Sequence, residues 1–219
     1  MMHIRAISII MIFAVVFVCT SPLKGADEDY IEDLIDVQEL DGDIIAIVEG
    51  RQKVFDLPSE EKILWSGSKG YIGAVLTNRR LLVISTSSKT WHEKSLREEE
   101  TQEASAKLSP YLVLLVTGDR VIGFDDKNNR FFELRRPANE KFIDFAVNRY
   151  VAVVVYSRCA FGVAIGSEKF NRIRFQPNEY FETLNLKATS RFASMHTTER
   201  LVTFRESDSL WTAVDRPIR

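Results

Sequence analysis

The 219-residue sequence is poor in cysteine (two), proline (six) and glycine (ten), and holds only three histidines. Its composition, 45% hydrophobic and 27% charged, excludes a collagen-like, low-complexity or wholly disordered chain. Neither sign of charge is in excess, with 29 basic against 31 acidic residues, so nucleic acid and anionic membrane are not indicated as partners. Several sequence patterns are missing altogether. There is no Cys-x-x-Cys-His, which excludes covalent c-type haem, and no His-Glu-x-x-His, Gly-x-Ser-x-Gly, phosphate-cradling glycine loop or paired cysteine-histidine spacing. No catalytic residue, cofactor or metal is therefore assigned.

The longest apolar run, residues 6 to 19, is 14 residues interrupted only by Ser8, short of the roughly 20 a helix needs to cross a bilayer. Preceded by Arg5, it reads as a signal peptide over residues 1–26 and implies export, periplasmic or extracellular if bacterial. The small-x-small cleavage pattern is poorly met around residues 23–26, so an uncleaved anchor is the alternative. Val18 before Cys19 argues against a lipidated cysteine. Removal of the leader leaves Cys159 as the sole thiol, which excludes an intrachain disulfide; lying in an apolar stretch, it reads as buried and inert.

Between residues 26 and 50 there are ten acidic residues and no lysine or arginine, whereas residues 51–219 hold 27 basic and 21 acidic ones. An acidic arm over residues 27–42 thus precedes a mildly basic body. It reads as a solvated leader; the alternative is that it docks on the body's own basic surface.

The body repeats. Ile44–Phe55, Tyr71–Ile84, Tyr111–Phe124, Tyr150–Val163 and Arg191–Phe204 each join an apolar run, a polar turn and a second apolar run, a β-hairpin five times over. Arg80 and Arg120 are 40 residues apart, Arg120 and Arg200 80, with Cys159 near the midpoint. Eleven residues past each anchor stands a large apolar residue: Leu64, Trp91, Phe131, Phe170 and Trp211. These predict a third strand, and residues 104–108, 142–147 and 180–186 predict a further one before three of the hairpins. Four antiparallel strands per 40 residues is a propeller blade, a unit that needs neighbours to bury its faces.

These repeats resemble WD40-like and related β-propeller repeats in architecture, although the Trp-Asp and Gly-His pairs are absent: Trp91 precedes His92 and Trp211 precedes Thr212. The resemblance implies an all-β fold, a small propeller of about four or five blades over residues 43–215, with a short tail at 216–219. A β-sandwich is the competing fold. Lys53 to Arg80 is only 27 residues, with no room for a full inner strand, so one blade is expected to be reduced and residues 30–40 to supply a strand.

His92 and His196 stand alone and read as surface or packing residues. Asp41-Gly42-Asp43 and Asp125-Asp126-Lys127-Asn128-Asn129 fall short of a calcium cage and read as turns. Glu98, Glu99 and Glu100 read as solvated charges in a connection. If the hairpin turns superpose, Arg51, Lys53, Arg79, Arg80, Arg120, Arg158 and Arg200 form a cationic crown suited to an anionic surface; the plainer reading is soluble edge residues. The expected function is a non-catalytic protein-binding or assembly module, an accessory subunit of a larger complex, with membrane contact only through that complex or an uncleaved leader. The alternative is a hydrolase acting on glycans, with carboxylates gathered in a propeller channel.

Overall fold

The computed structural model describes residues 31–167, 169–182 and 185–216; the leader and the start of the acidic arm lie outside the described residues. The strands form five antiparallel meanders in chain order. The first sheet has three strands, β1 (Ile35–Leu40), β2 (Asp43–Val48) and β3 (Arg51–Phe55). The second holds β4 (Ile63–Lys69), β5 (Ile72–Thr77), β6 (Arg80–Ser85) and β7 (Trp91–Ser95), and is followed by α1 (Glu98–Gln102). The third holds β8 (Ser105–Leu108), β9 (Leu112–Val116), β10 (Arg120–Asp125) and β11 (Arg130–Arg135). The fourth holds β12 (Phe142–Asn148), β13 (Val151–Tyr156), β14 (Cys159–Ala164) and β15 (Asn171–Arg174), and the fifth β16 (Lys187–Ala188), β17 (Phe192–His196), β18 (Arg200–Arg205) and β19 (Trp211–Asp215).

The middle strands explain the order. β5, β9, β13 and β14 are buried at every position, because each sheet is covered on both faces and its β-branched residues alternate between two neighbours. In β9, Leu112, Leu114 and Val116 pack toward the fourth sheet, while Val113 and Leu115 pack toward the second. The first strands of successive sheets are stitched together: Lys107 Nζ donates to Phe145 O at 2.5 Å, and Asn148 Nδ2 to Ala188 O at 2.8 Å. Gly162 permits the close approach of the fifth sheet, since a Cβ there would lie 2.5 Å from the Phe204 ring. This is a β-propeller blade arrangement rather than a two-layer sandwich. Trp91, Phe131 and Trp211 lie on the last strands, as the spacing predicts, and Phe170 immediately precedes β15.

The first sheet bears out the strand expected from residues 30–40 and departs from expectation in two other ways. Residues 35–40 of the acidic segment form β1, because Ile35 and Val37 face the core while Asp36 and Glu39 face outward or to the rim. Leu64 lies on β4, the inner strand of the second sheet, so an inner strand does fit between Lys53 and Arg80; among the described residues it is the first sheet that lacks an innermost strand. The first sheet also sits one strand out of step. Leu34 N donates to Gly70 O at 2.8 Å, as Tyr71 N does to Pro110 O and Tyr150 N to Ser190 O, and Gly70 N donates to Asp33 Oδ1 at 2.6 Å. Leu34 thus stands where Tyr71 and Tyr150 stand, and β1, β2 and β3 take the places of the second, third and fourth strands of the other sheets. The β2–β3 turn, Glu49-Gly50, consequently reaches Lys89, whose Nζ lies 2.6 Å from Glu49 Oε2.

Among the described residues, apolar clusters join each sheet to the next, and none joins the fifth to the first. The outward faces of the two end sheets carry large apolar side chains. Ile47 and Val54 on the first are 40% and 49% exposed, and Leu201 and Val214 on the fifth 39% and 67%.

Candidate interaction surfaces

The basic residues singled out by the repeat divide sharply. Arg80 Nε and Nη2 donate to the two oxygens of Glu61 at 2.9 and 2.7 Å, and Thr77 Oγ1 donates to Glu61 Oε1 at 2.5 Å. Arg120 grips Glu100 in the same two-pronged way at 2.6 and 3.0 Å, and Arg200 grips Glu179 at 2.9 and 2.6 Å, with Thr197 Oγ1 on Glu179 at 2.5 Å. The side chains of all three glutamates are wholly buried. In the fourth sheet Cys159 takes the arginine position. Glu140 there is held by Ser157 Oγ at 2.6 Å and by the Arg158 backbone N–H at 2.9 Å, leaving the Arg158 side chain exposed.

Four buried glutamates thus fasten the connections between sheets to the hairpins that follow. Burial alone would push the Glu100 and Glu179 carboxyls up. The arginine beside each more than offsets that and holds it below the ordinary carboxylate range, aided by the Arg97 backbone N–H at Glu100 and by Thr197 at Glu179. Glu100 is therefore not a solvated charge in the connection: it sits in α1 and is withdrawn from water by its bidentate partner. Arg79 pairs at the surface with Glu60 at 2.9 Å. Arg51 and Lys53 lie on β3, the counterpart of the fourth strands, and are not brought to the end that carries Arg80, Arg120, Arg158 and Arg200.

The opposite end carries a ladder of tyrosines. Tyr71, Tyr111 and Tyr150, each preceding the second strand of its sheet, stack with ring centroids 4.9 and 5.2 Å apart and planes inclined by 20°. Arg191 holds the equivalent place in the fifth sheet, its guanidinium carbon 5.8 Å from the Tyr150 ring centre. Burial, with hydrogen bonding to Tyr71, keeps the Tyr111 phenol protonated well above its usual range.

The remaining candidates behave as packing groups. Cys159 is buried and its thiol is pushed up by that burial. Asp125 is pushed up by burial and accepts backbone N–H bonds from Lys127 and Gly166, at 2.9 and 2.6 Å, which makes it a turn and inter-sheet fastener. His92 packs 5.2 Å from Phe124, and burial lowers its pKa. Among the described residues no group of three or more His, Cys, Asp or Glu is placed to hold a metal ion.

The chain is a β-propeller-type protein, defined by its five blade-like meanders and repeated fasteners. No family model matches it, and a search of curated proteins finds no match. Among solved structures it is similar to the N-terminal domain of Nup159, at 9% identity and a TM-score of 0.38, covering 85% of this chain and 60% of that one. It is similar also to Prp20p from Saccharomyces cerevisiae, at 7% identity and a TM-score of 0.43, covering 77% and 55%. A third likeness is to the extracellular domain of a one component system from B. thetaiotaomicron, at 10% identity and a TM-score of 0.35, covering 84% and 26%. The chain spans less than two thirds of the length of each.

Proposed function

We propose that this chain is an exported, non-catalytic assembly module that works inside a larger protein complex. The observation that carries the reading is the pair of uncovered end sheets. A sheet face bearing Ile47 and Val54, or Leu201 and Val214, in water forgoes burial worth about 25 cal/mol per Å². The three inner sheets of the same chain satisfy the identical need by packing on both sides. Export rests on the apolar leader. Anionic docking through the repeat's arginines reduces to the exposed Arg158 together with the surface pair Arg79 and Glu60, because Arg80, Arg120 and Arg200 already hold buried carboxylates.

The glycan-hydrolase alternative needs a carboxylic acid kept protonated beside open solvent. Glu100 and Glu179 are held ionised by arginine, and Asp125 is spent on backbone N–H groups, so the geometry favours binding. Recovery of the chain from the exported fraction, N-terminal sequencing and native mass determination test the reading. A mature start near residue 27 and elution within a larger assembly are expected. Retention in the cytoplasm refutes export, and a lone monomer of 22–25 kDa in the native extract refutes the assembly role.

A further inference from the structure

The two uncovered sheets differ in charge as well as in position. On the first, cross-strand pairing places Asp36, Gln38 and Leu40 of β1, Asp43, Ile45 and Ile47 of β2, and Gln52 and Val54 of β3 on one outward face. On the fifth, the outward face gathers Lys187, Phe192, Ser194 and His196 with Leu201, Thr203, Arg205, Thr212 and Val214. Each is an apolar centre with a polar margin, one margin acidic and the other basic, with Arg205 also paired to Asp208 in the turn that follows. The contrast belongs to the faces themselves: residues 31–57 carry eight acidic and two basic side chains, and residues 176–219, which hold the fifth sheet, carry six of each.

We infer that a second copy of this chain is the partner, packed head to tail, with the first sheet of one copy on the fifth sheet of the next. This deepens the assembly reading and rests on it. Packing first sheet on first sheet would set the acidic margins of Asp36 and Asp43 together, and packing fifth on fifth would set together the basic margins of Lys187 and Arg205. Only the unlike pairing sets acidic margin against basic margin while burying Ile47 and Val54 against Leu201 and Val214. Such a contact is heterologous: the surfaces that meet differ, and every copy brings one of each.

The test is complementation between two blocked variants of the full chain, followed by sedimentation velocity and native mass spectrometry up to about 100 μM. One carries Ile47→Lys and Val54→Lys on the first sheet; the other carries Leu201→Glu and Val214→Glu on the fifth. All four positions are solvent-exposed, and circular dichroism verifies that both variants fold. The wild-type chain should self-associate and each variant alone should be at least tenfold weaker. An equal mixture should form a two-chain species through the one unaltered face each contributes. A monomeric wild type, a variant that still pairs with itself, or a mixture that stays monomeric overturns the inference. If the isolated chain is monomeric but both faces are shielded by a different protein in the native assembly, the second copy is refuted and the assembly role stands. Faces left bare in both states refute the two together.

Discussion

Replacing Arg200 by Met removes both donors from a carboxylate whose side chain is fully buried. Glu179 would keep only the Thr197 hydroxyl and the Gln176 backbone N–H, at 2.5 and 2.6 Å. Breaking one side of a buried ion pair costs about 3–5 kcal/mol, because the remaining charge is stranded in a low-dielectric site. Arg200 retains some exposure and two neutral donors survive, so the lower figure, about 3 kcal/mol, applies here. Domains of this size are stable by only about 5–15 kcal/mol, which makes the loss a large part of the whole. The fourth sheet supplies the control: Arg158 contributes only its backbone N–H to Glu140, so Arg158→Met should stay within about 0.5 kcal/mol of wild type. Urea unfolding followed by far-ultraviolet circular dichroism reads both. Equal losses for the two variants, or an Arg200→Met variant as stable as wild type, would refute the idea that the arginine column is a set of internal fasteners.

Arg80→Gln, Arg120→Gln and Arg200→Gln combined should unfold the chain or sharply lower its melting temperature, whereas Arg158→Gln should alter only binding to anionic surfaces and its salt dependence. Gly162→Ala drives a methyl group into the Phe204 ring and should destabilise the fourth and fifth sheets by about 1–3 kcal/mol, seen as a lowered urea midpoint. Acidification should weaken the fold in two stages. Burial lowers the His92 pKa, so its contribution is complete above 6.5 and is lost as pH falls from there toward the lowered folded value; His92→Phe should erase this upper stage. Glu100 and Glu179, held low by arginine against the opposing pull of burial, contribute fully above about 4.5 and lose that contribution below it. Asp125 acts in the opposite sense, since burial raises its pKa and protonation relieves its cost.

The repeated hairpins were legible because the middle strands of a propeller blade are apolar on both faces, which leaves the β-branched runs at 72–77, 112–116 and 151–156 unmistakable. The arginines stood out by their 40-residue spacing. Their partners did not, because Glu61, Glu100, Glu140 and Glu179 lie in connections where acidic residues are expected to be solvated; aligning the same repeat places them 39, 40 and 39 residues apart and would have exposed the column. The tyrosine ladder was hidden in the same way, as the first letter of each aligned hairpin. The place of the first hairpin within its sheet could not be read at all. Ile44 to Phe55 has the same alternation whether it supplies the second and third strands or the third and fourth, and only the Leu34 to Gly70 and Glu49 to Lys89 contacts decide it.

The assembly role requires the first and fifth sheets to be interfaces. Hydroxyl-radical footprinting of the native exported assembly against the isolated chain in dilute solution measures this directly at Ile47, Val54, Leu201 and Val214. Protection of all four in the assembly, with Leu64 and Tyr180 unchanged as exposed references, is the predicted result. Equal reactivity of the four in both states would contradict it.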